Sequence, residues 1–253
     1  MEYKMLNDLF WDGEMDCGWE DLSELLIRTC RKFTDIMLTT TEISPNAESK
    51  EMISDKCMER FSSITGILAD IVKDGGYYAY EDADGEAQNA LKLNGWILLG
   101  SLTESTLQMF LAFFLEDYKK TKWQQWEDFE IEQVQKPINE CIKGLVDSNI
   151  LNSEQAKSLK SAVKEKIKEH TKEHPVQKVM LDELIQLYQH LELMNEDEIF
   201  YLKSIQSNRN GIHSFQERNI GTWFDLQYST RFFCYLLEWV INHLPDTPDE
   251  EYY

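Results

Sequence analysis

Residues 95–115, "GWILLGSLTESTLQMFLAFFL", decide the architecture. The run is long enough to cross a bilayer as a helix. Its centre does not suit lipid: Ser101, Thr103, Glu104, Ser105, Thr106 and Gln108 fall there. A carboxylate at mid-span costs roughly 3 kcal/mol on insertion scales. A helix that is apolar around most of its circumference, with one polar notch, fits the core of a helical bundle instead. Glu104 is the single charged residue of the run, in line with Ser101 and Gln108 and close to the small Gly100. A carboxylate buried there needs a cation from another helix.

The surrounding chain reads the same way. Only 5 prolines and 11 glycines interrupt 253 residues, and 42% of the residues are hydrophobic, enough for a sizeable core. Apolar residues at helical spacing predict helices over about 19–38 and 51–73, with a loop over 39–50 between them. A further helix is expected over 87–118, after the turn-rich 74–86. Helical periodicity continues over 130–149, over 153–174 with Ser153 as N-cap, and over 176–194. Asn195 caps the next helix, 196–216, with three acidic residues in its first turn where the helix dipole favours them. Gly221 breaks the chain before the aromatic-rich 222–244, which reads as deeply buried or at an interface. The expected fold is an all-α helical bundle in one domain, residues 1–245, followed by an acidic tail, 246–253, that reads as disordered.

Composition limits the function. The net charge of −21 rules out attraction of polyanions by the protein as a whole. Nucleic acid binding would need a local basic cleft or a partner. The one basic stretch is the helix that begins near Ser153, where Lys157, Lys160, Lys164, Lys166, Lys168 and Lys172 outnumber the acidic residues. It reads as a solvated face with ion pairs along the helix, or as a track for phosphates. The five scattered cysteines fit reduced thiols, and the first residues lack a basic-then-apolar leader, so a cytoplasmic location without membrane attachment is expected. The acidic loop near residue 80 fails as a calcium loop because Tyr80 stands where the first carboxylate is needed. His170 and His174 lie four apart, but no carboxylate pattern of the zinc-hydrolase kind accompanies them. No metal or cofactor is expected.

A second stretch, "SNRNGIHSF" over 207–215, carries the candidate chemistry. Ile199, Leu202 and Ile205 form an apolar stripe at three-residue steps. On one continuous helix the stripe leads to Arg209, then to Ile212 and His213. Arg209 and His213 would then project inward where a core takes leucine, and Glu104 is the natural counter-charge. Two readings stay open. The trio is a buried ion pair that fixes helix register, or it is a catalytic or anion-binding cleft.

The run "LKSIQSNRNGIHSFQER" resembles the signature helix of the HEPN superfamily (higher eukaryotes and prokaryotes nucleotide-binding). Arg209, Asn210 and His213 match its Arg-polar…His motif as "RNGIH", with three residues between Arg and His, fewer than is usual in the family. "LLGSLTES" is similar to the earlier family helix that supplies a supporting acidic residue, here Glu104. The resemblance implies a HEPN-like bundle in which the Lys-rich middle is an inserted helical hairpin. It implies a metal-independent endoribonuclease with RNA as substrate, of the kind found in toxin–antitoxin, abortive-infection and related defence systems. On that resemblance His213 exchanges protons, Arg209 clamps the phosphate, Asn210 orients it, Glu104 supports Arg209 or the histidine, and Asn208, Ser101 and Gln108 line the substrate site. A homodimer would join two motif helices, with the aromatic last helix as a further part of the interface. An antitoxin or regulatory protein is a further implied partner. The alternative within the family is a non-catalytic protein that binds nucleotides or partners.

Overall fold

The structure is a computed structural model and describes residues 17–43, 47–80, 85–121, 125–127, 131–212 and 220–245. Its contacts divide the chain into two compact units: residues 1–115 with 179–253, and residues 116–178. The protein is all-α apart from a small ribbon of two three-residue strands. No described helix is long and apolar enough to cross a membrane. The tail 246–253 and residues 81–84 of the acidic loop lie outside the described residues.

In the first unit, α1 (Trp19–Thr40), α3 (Asp55–Tyr78), α4 (Glu86–Phe113) and α10 (Trp223–His243) pack around one core. Their apolar stripes interlock through fully buried Leu22, Leu26, Phe33, Met37, Leu68, Trp96, Leu99, Phe232 and Phe233. Rings run across it: Phe33 lies 5.4 Å from Phe61, and Phe61 lies 6.4 Å from Phe233. The 95–115 run is the core helix its polar centre predicts; Thr103 and Thr106 are buried with their hydroxyls donating to the Leu99 and Leu102 carbonyls at 2.8 Å. That internal bonding lets two hydroxyls sit in a core without an external partner. The last helix is buried along most of its length, from Trp223 to Val240.

Several boundaries differ from the sequence expectation. Residues 39–50 are not one loop: α1 runs to Thr40, and α2 (Ala47–Met52) is a separate short helix. The predicted 51–73 helix is broken at Ile53 and Ser54, where Ser54 takes extended backbone angles as N-cap of α3. Ile53 stays buried through that break, so apolar periodicity alone hid it. The helix α3 also continues through Gly75 and Gly76 to Tyr78. These glycines do not make a turn. A Cβ at Gly75 would lie 2.7 Å from the Trp223 ring, and one at Gly76 would lie 2.8 Å from the Trp19 side chain. They clear space for two indoles.

The second unit is a helical hairpin. The helices α6 (Ile131–Asp147) and α7 (Ser153–His170) pack through buried Ile142, Ala156 and Ile167. Their ends are tied by β1 (Gln125–Glu127) and β2 (Thr171–Glu173), antiparallel with Trp126 opposite Lys172. Before them come the single turn α5 (Leu115–Tyr118) and the Tyr118 hydroxyl, which donates to the His174 carbonyl at 2.6 Å. Asn152, not Ser153, caps α7: its side chain accepts from the Gln155 N–H at 2.9 Å, and the Gln155 side chain returns a bond to the Asn152 N–H at 3.0 Å. That is a reciprocal capping pair one residue earlier than predicted.

None of the five cysteines is in a disulfide; Cys141 is exposed, while Cys30 and Cys234 are buried. Burial pushes the thiols of Cys30 and Cys234 up, so thiolate is scarce there. A thiol reagent added to native protein should therefore label Cys141 first, and Cys30 and Cys234 only as denaturant unfolds the chain. Equal labelling rates would contradict the packing. In the same core, Gly76→Ala gains helix propensity but forces a shift at Trp19, a net loss of about 1–2 kcal/mol in urea unfolding.

Candidate functional site

The polar notch of α4 does find a cation. The Arg209 Nη1 donates to Glu104 Oε2 at 2.7 Å, and both side chains are about a quarter exposed, 26% and 23%. Arg209 is the last residue of α9 (Glu196–Arg209), where a cation also suits the helix dipole. Its aliphatic stem lies across Gly100: a Cβ there would meet Arg209 Cδ at 2.5 Å and its Cβ and Cγ at 3.1 Å. The missing side chain on α4 is thus what lets the guanidinium reach the carboxylate one turn further on.

Glu104 has a second duty that the sequence did not suggest. Its Oε2 also accepts the Leu181 N–H at 3.0 Å, the first N–H of α8 (Leu181–His190). One turn along α4, Gln108 Nε2 donates to the Val179 carbonyl at 2.9 Å. The two side chains therefore grip the strand-like entry into α8 from both polar sides, one accepting and one donating. Tyr188 of α8 donates to the Leu107 carbonyl at 2.8 Å, and burial pushes its phenol well up. The carboxylate of Glu104 joins α4, α8 and α9.

This geometry resolves some expectations and alters others. Ile199, Leu202 and Ile205 form the buried stripe, and Asn208 is buried beside Arg209. The helix then stops. Residues Asn210–Ile212 form a 3-10 turn, not the continuation expected through 216, and Ile212 is exposed. The Asn210 N–H bonds the Asn208 and Gln206 carbonyls as the helix end tightens. Gly211 is explained by packing: a Cβ there would collide with the Ile220 side chain. Ser101 is half-buried on the same α4 line as Glu104 and Gln108. His213 lies outside the described residues.

The entry of α9 is built as predicted and carries more than predicted. Asn195 accepts the N–H groups of Asp197 and Glu198 at 3.0 Å, and Glu198 returns a bond to the Asn195 N–H at 2.7 Å. The other oxygen of the buried Glu198 accepts the Tyr235 hydroxyl of α10 at 2.5 Å. Burial first, then that bond to Glu198, pushes the Tyr235 phenol up. The Asn195-to-Glu198 spacing of a capping box was the available sequence signal. Among the described residues no cluster of three or more metal-ligating side chains occurs. The His174 ring makes a 2.9 Å contact with the Lys178 carbonyl.

Compared with protein-family models, curated proteins and solved structures, the chain gives no match.

Glu104→Ala removes the partner of Arg209 and the acceptor of Leu181 together. It should cost about 1–3 kcal/mol in chemical denaturation, held below a fully buried pair by the partial exposure of both groups. Glu104→Gln keeps an acceptor for the Leu181 N–H and should cost less than Glu104→Ala. Equal losses for the two would assign the whole effect to the ion pair.

Proposed function

We propose that this protein is a HEPN-like, metal-independent endoribonuclease whose site is formed by Arg209 and His213 with Glu104 in support. The observation that carries the reading is the poise of Arg209. Its guanidinium is anchored through one nitrogen to Glu104, its stem is seated on Gly100, and it remains partly exposed. Among the described residues no other side chain takes its remaining N–H groups. A fixed, reachable guanidinium with free donors is what bidentate capture of a phosphate requires.

In the proposed reaction the ribose 2′-oxygen attacks the adjacent phosphorus as its proton passes to a base. The bond to the 5′-oxygen breaks, and that oxygen takes a proton from an acid. The products are a 2′,3′-cyclic phosphate and a 5′-hydroxyl end. Histidine titrates in the range where both transfers are feasible near neutral pH, which suits His213. Arg209 stabilises the charge that grows on the phosphate oxygens, and Asn210 orients that phosphate. One histidine supplies one proton-transfer group, so two protomers are proposed to pair with their motif ends together. The setting would be toxin–antitoxin or related defence, with an antitoxin-type protein as regulator.

A second reading has its own observation. Glu104 is shared between Arg209 and the Leu181 N–H, which is what a clamp fixing the register of three helices needs. On that reading the protein binds nucleotides or partners without catalysis.

One assay separates them. Purified protein incubated with RNA in EDTA should yield fragments with 2′,3′-cyclic phosphate ends. His213→Ala should abolish cleavage, and Arg209→Ala should lower it by about 10²-fold or more. Folded wild-type protein that leaves RNA intact would overturn the nuclease reading and favour the clamp.

A further inference from the structure

We propose that the cleft between α6 and α7 binds single-stranded RNA along its phosphate backbone, without reading sequence; the choice of RNA rests on the function proposed above. The cleft has a volume of ≈ 710 Å³ and is lined by Asn139 and Lys143 of α6 and by Lys157, Lys160, Ser161 and Lys164 of α7. The three α7 lysines recur at helical spacing and share one face, about 10 Å from first to last. Lys143 faces them from the other helix.

Two observations set these lysines apart. Among the described residues no carboxylate lines this cleft; Glu140 lines an adjoining cleft that shares Lys143 and Lys160 with it. Among the described residues none of the four lysines makes an ion pair, whereas Lys32, Lys73, Lys119 and Lys120 are each matched to a carboxylate. The chain carries 46 acidic residues, so this exclusion is local. Residues 116–178 hold 12 lysines against 12 acidic side chains, and the whole net charge of −21 therefore falls on the other unit. Ammonium groups of like charge gathered without a carboxylate repel one another, and an anion in the cleft relieves that repulsion.

The shape of the row selects the anion. Four lysines spread along two helices fit several linked phosphates better than one. Among the described residues no aromatic side chain lines the cleft, so the described lining offers phosphate contacts and no platform for stacked bases. A lipid surface would call for exposed apolar anchors beside the lysines, whereas the apolar lining residues Ile142 and Ala156 are buried and Val146 is half-buried. The exposed Leu159 falls on another face of α7 by helical spacing. A local lysine track is also what an acidic protein needs to hold RNA at all.

The test measures anisotropy of a labelled 2′-O-methyl oligouridine, which lacks the attacking hydroxyl, over a range of salt concentrations. Lys157→Gln/Lys160→Gln/Lys164→Gln should weaken binding about tenfold or more and flatten the slope of log affinity against log salt by about 2, near 0.7 per lost phosphate contact. All three residues are exposed, and circular dichroism checks the fold; Lys143→Gln/Lys160→Gln serves as a second variant. Unchanged affinity and slope in folded variants would overturn the inference. Displacement by tripolyphosphate at the same or lower concentration than the oligomer would reassign the cleft to small polyphosphates and overturn it too. Preferential binding to anionic vesicles would do the same. Protein that binds the oligomer through these lysines yet cuts no RNA in EDTA keeps this inference and removes the nuclease reading. Protein that cuts RNA while the triple variant binds unchanged does the reverse.

Discussion

A single carboxylate oxygen on the core helix organises the polar interior of the first unit. Glu104 Oε2 receives both the Arg209 guanidinium and the first N–H of α8. A carboxylate in the middle of an otherwise apolar helix is costly unless its lone pairs are satisfied. Here two other helices satisfy it, and each is placed by doing so. Gln108, one turn away, supplies the complementary donor to the carbonyl that precedes α8. The polar stripe of α4 is therefore a docking line for the chain that returns after residue 178.

That arrangement constrains chemistry as much as packing. Arg209 cannot swing freely, because Glu104 holds its head and the bare backbone at Gly100 accommodates its stem. A cation restrained in this way loses little conformational entropy when it meets an anion. The same restraint serves a purely structural clamp. Partial exposure of the guanidinium suits both uses: it lowers the desolvation cost of the pair and leaves the cation within reach of an anion. Charge is divided unevenly along the chain: the unit holding Arg209 carries the net −21, while residues 116–178 balance 12 lysines against 12 acidic side chains.

Some of this was legible in the chain. The polar centre of 95–115 identified a core helix, and Glu104 and Arg209 were paired from pattern alone because each interrupts an otherwise apolar helix face. The Asn195 cap and the break at Gly221, whose φ is +69°, were local signals read at their positions. Other features were hidden because their cause is remote. Gly75 and Gly76 look like a turn but lie inside α3, since the rings they accommodate come from residues 19 and 223. Gly211 is explained by Ile220. The extended stretch that Glu104 grips at Leu181 carries no local mark, because a backbone N–H belongs to every residue but proline.

The sequence by itself determined the class of fold, the helices with strong apolar period and the pairing of Glu104 with Arg209. Those follow from composition and spacing, which act within a few turns of one helix. Only the tertiary structure decided that Glu104 is shared among three helices, that α9 ends at Arg209 in a tight turn, and that the lysines of α7 meet Lys143 across one cleft. Each of these depends on groups far apart in the chain, brought together by packing that no single segment encodes.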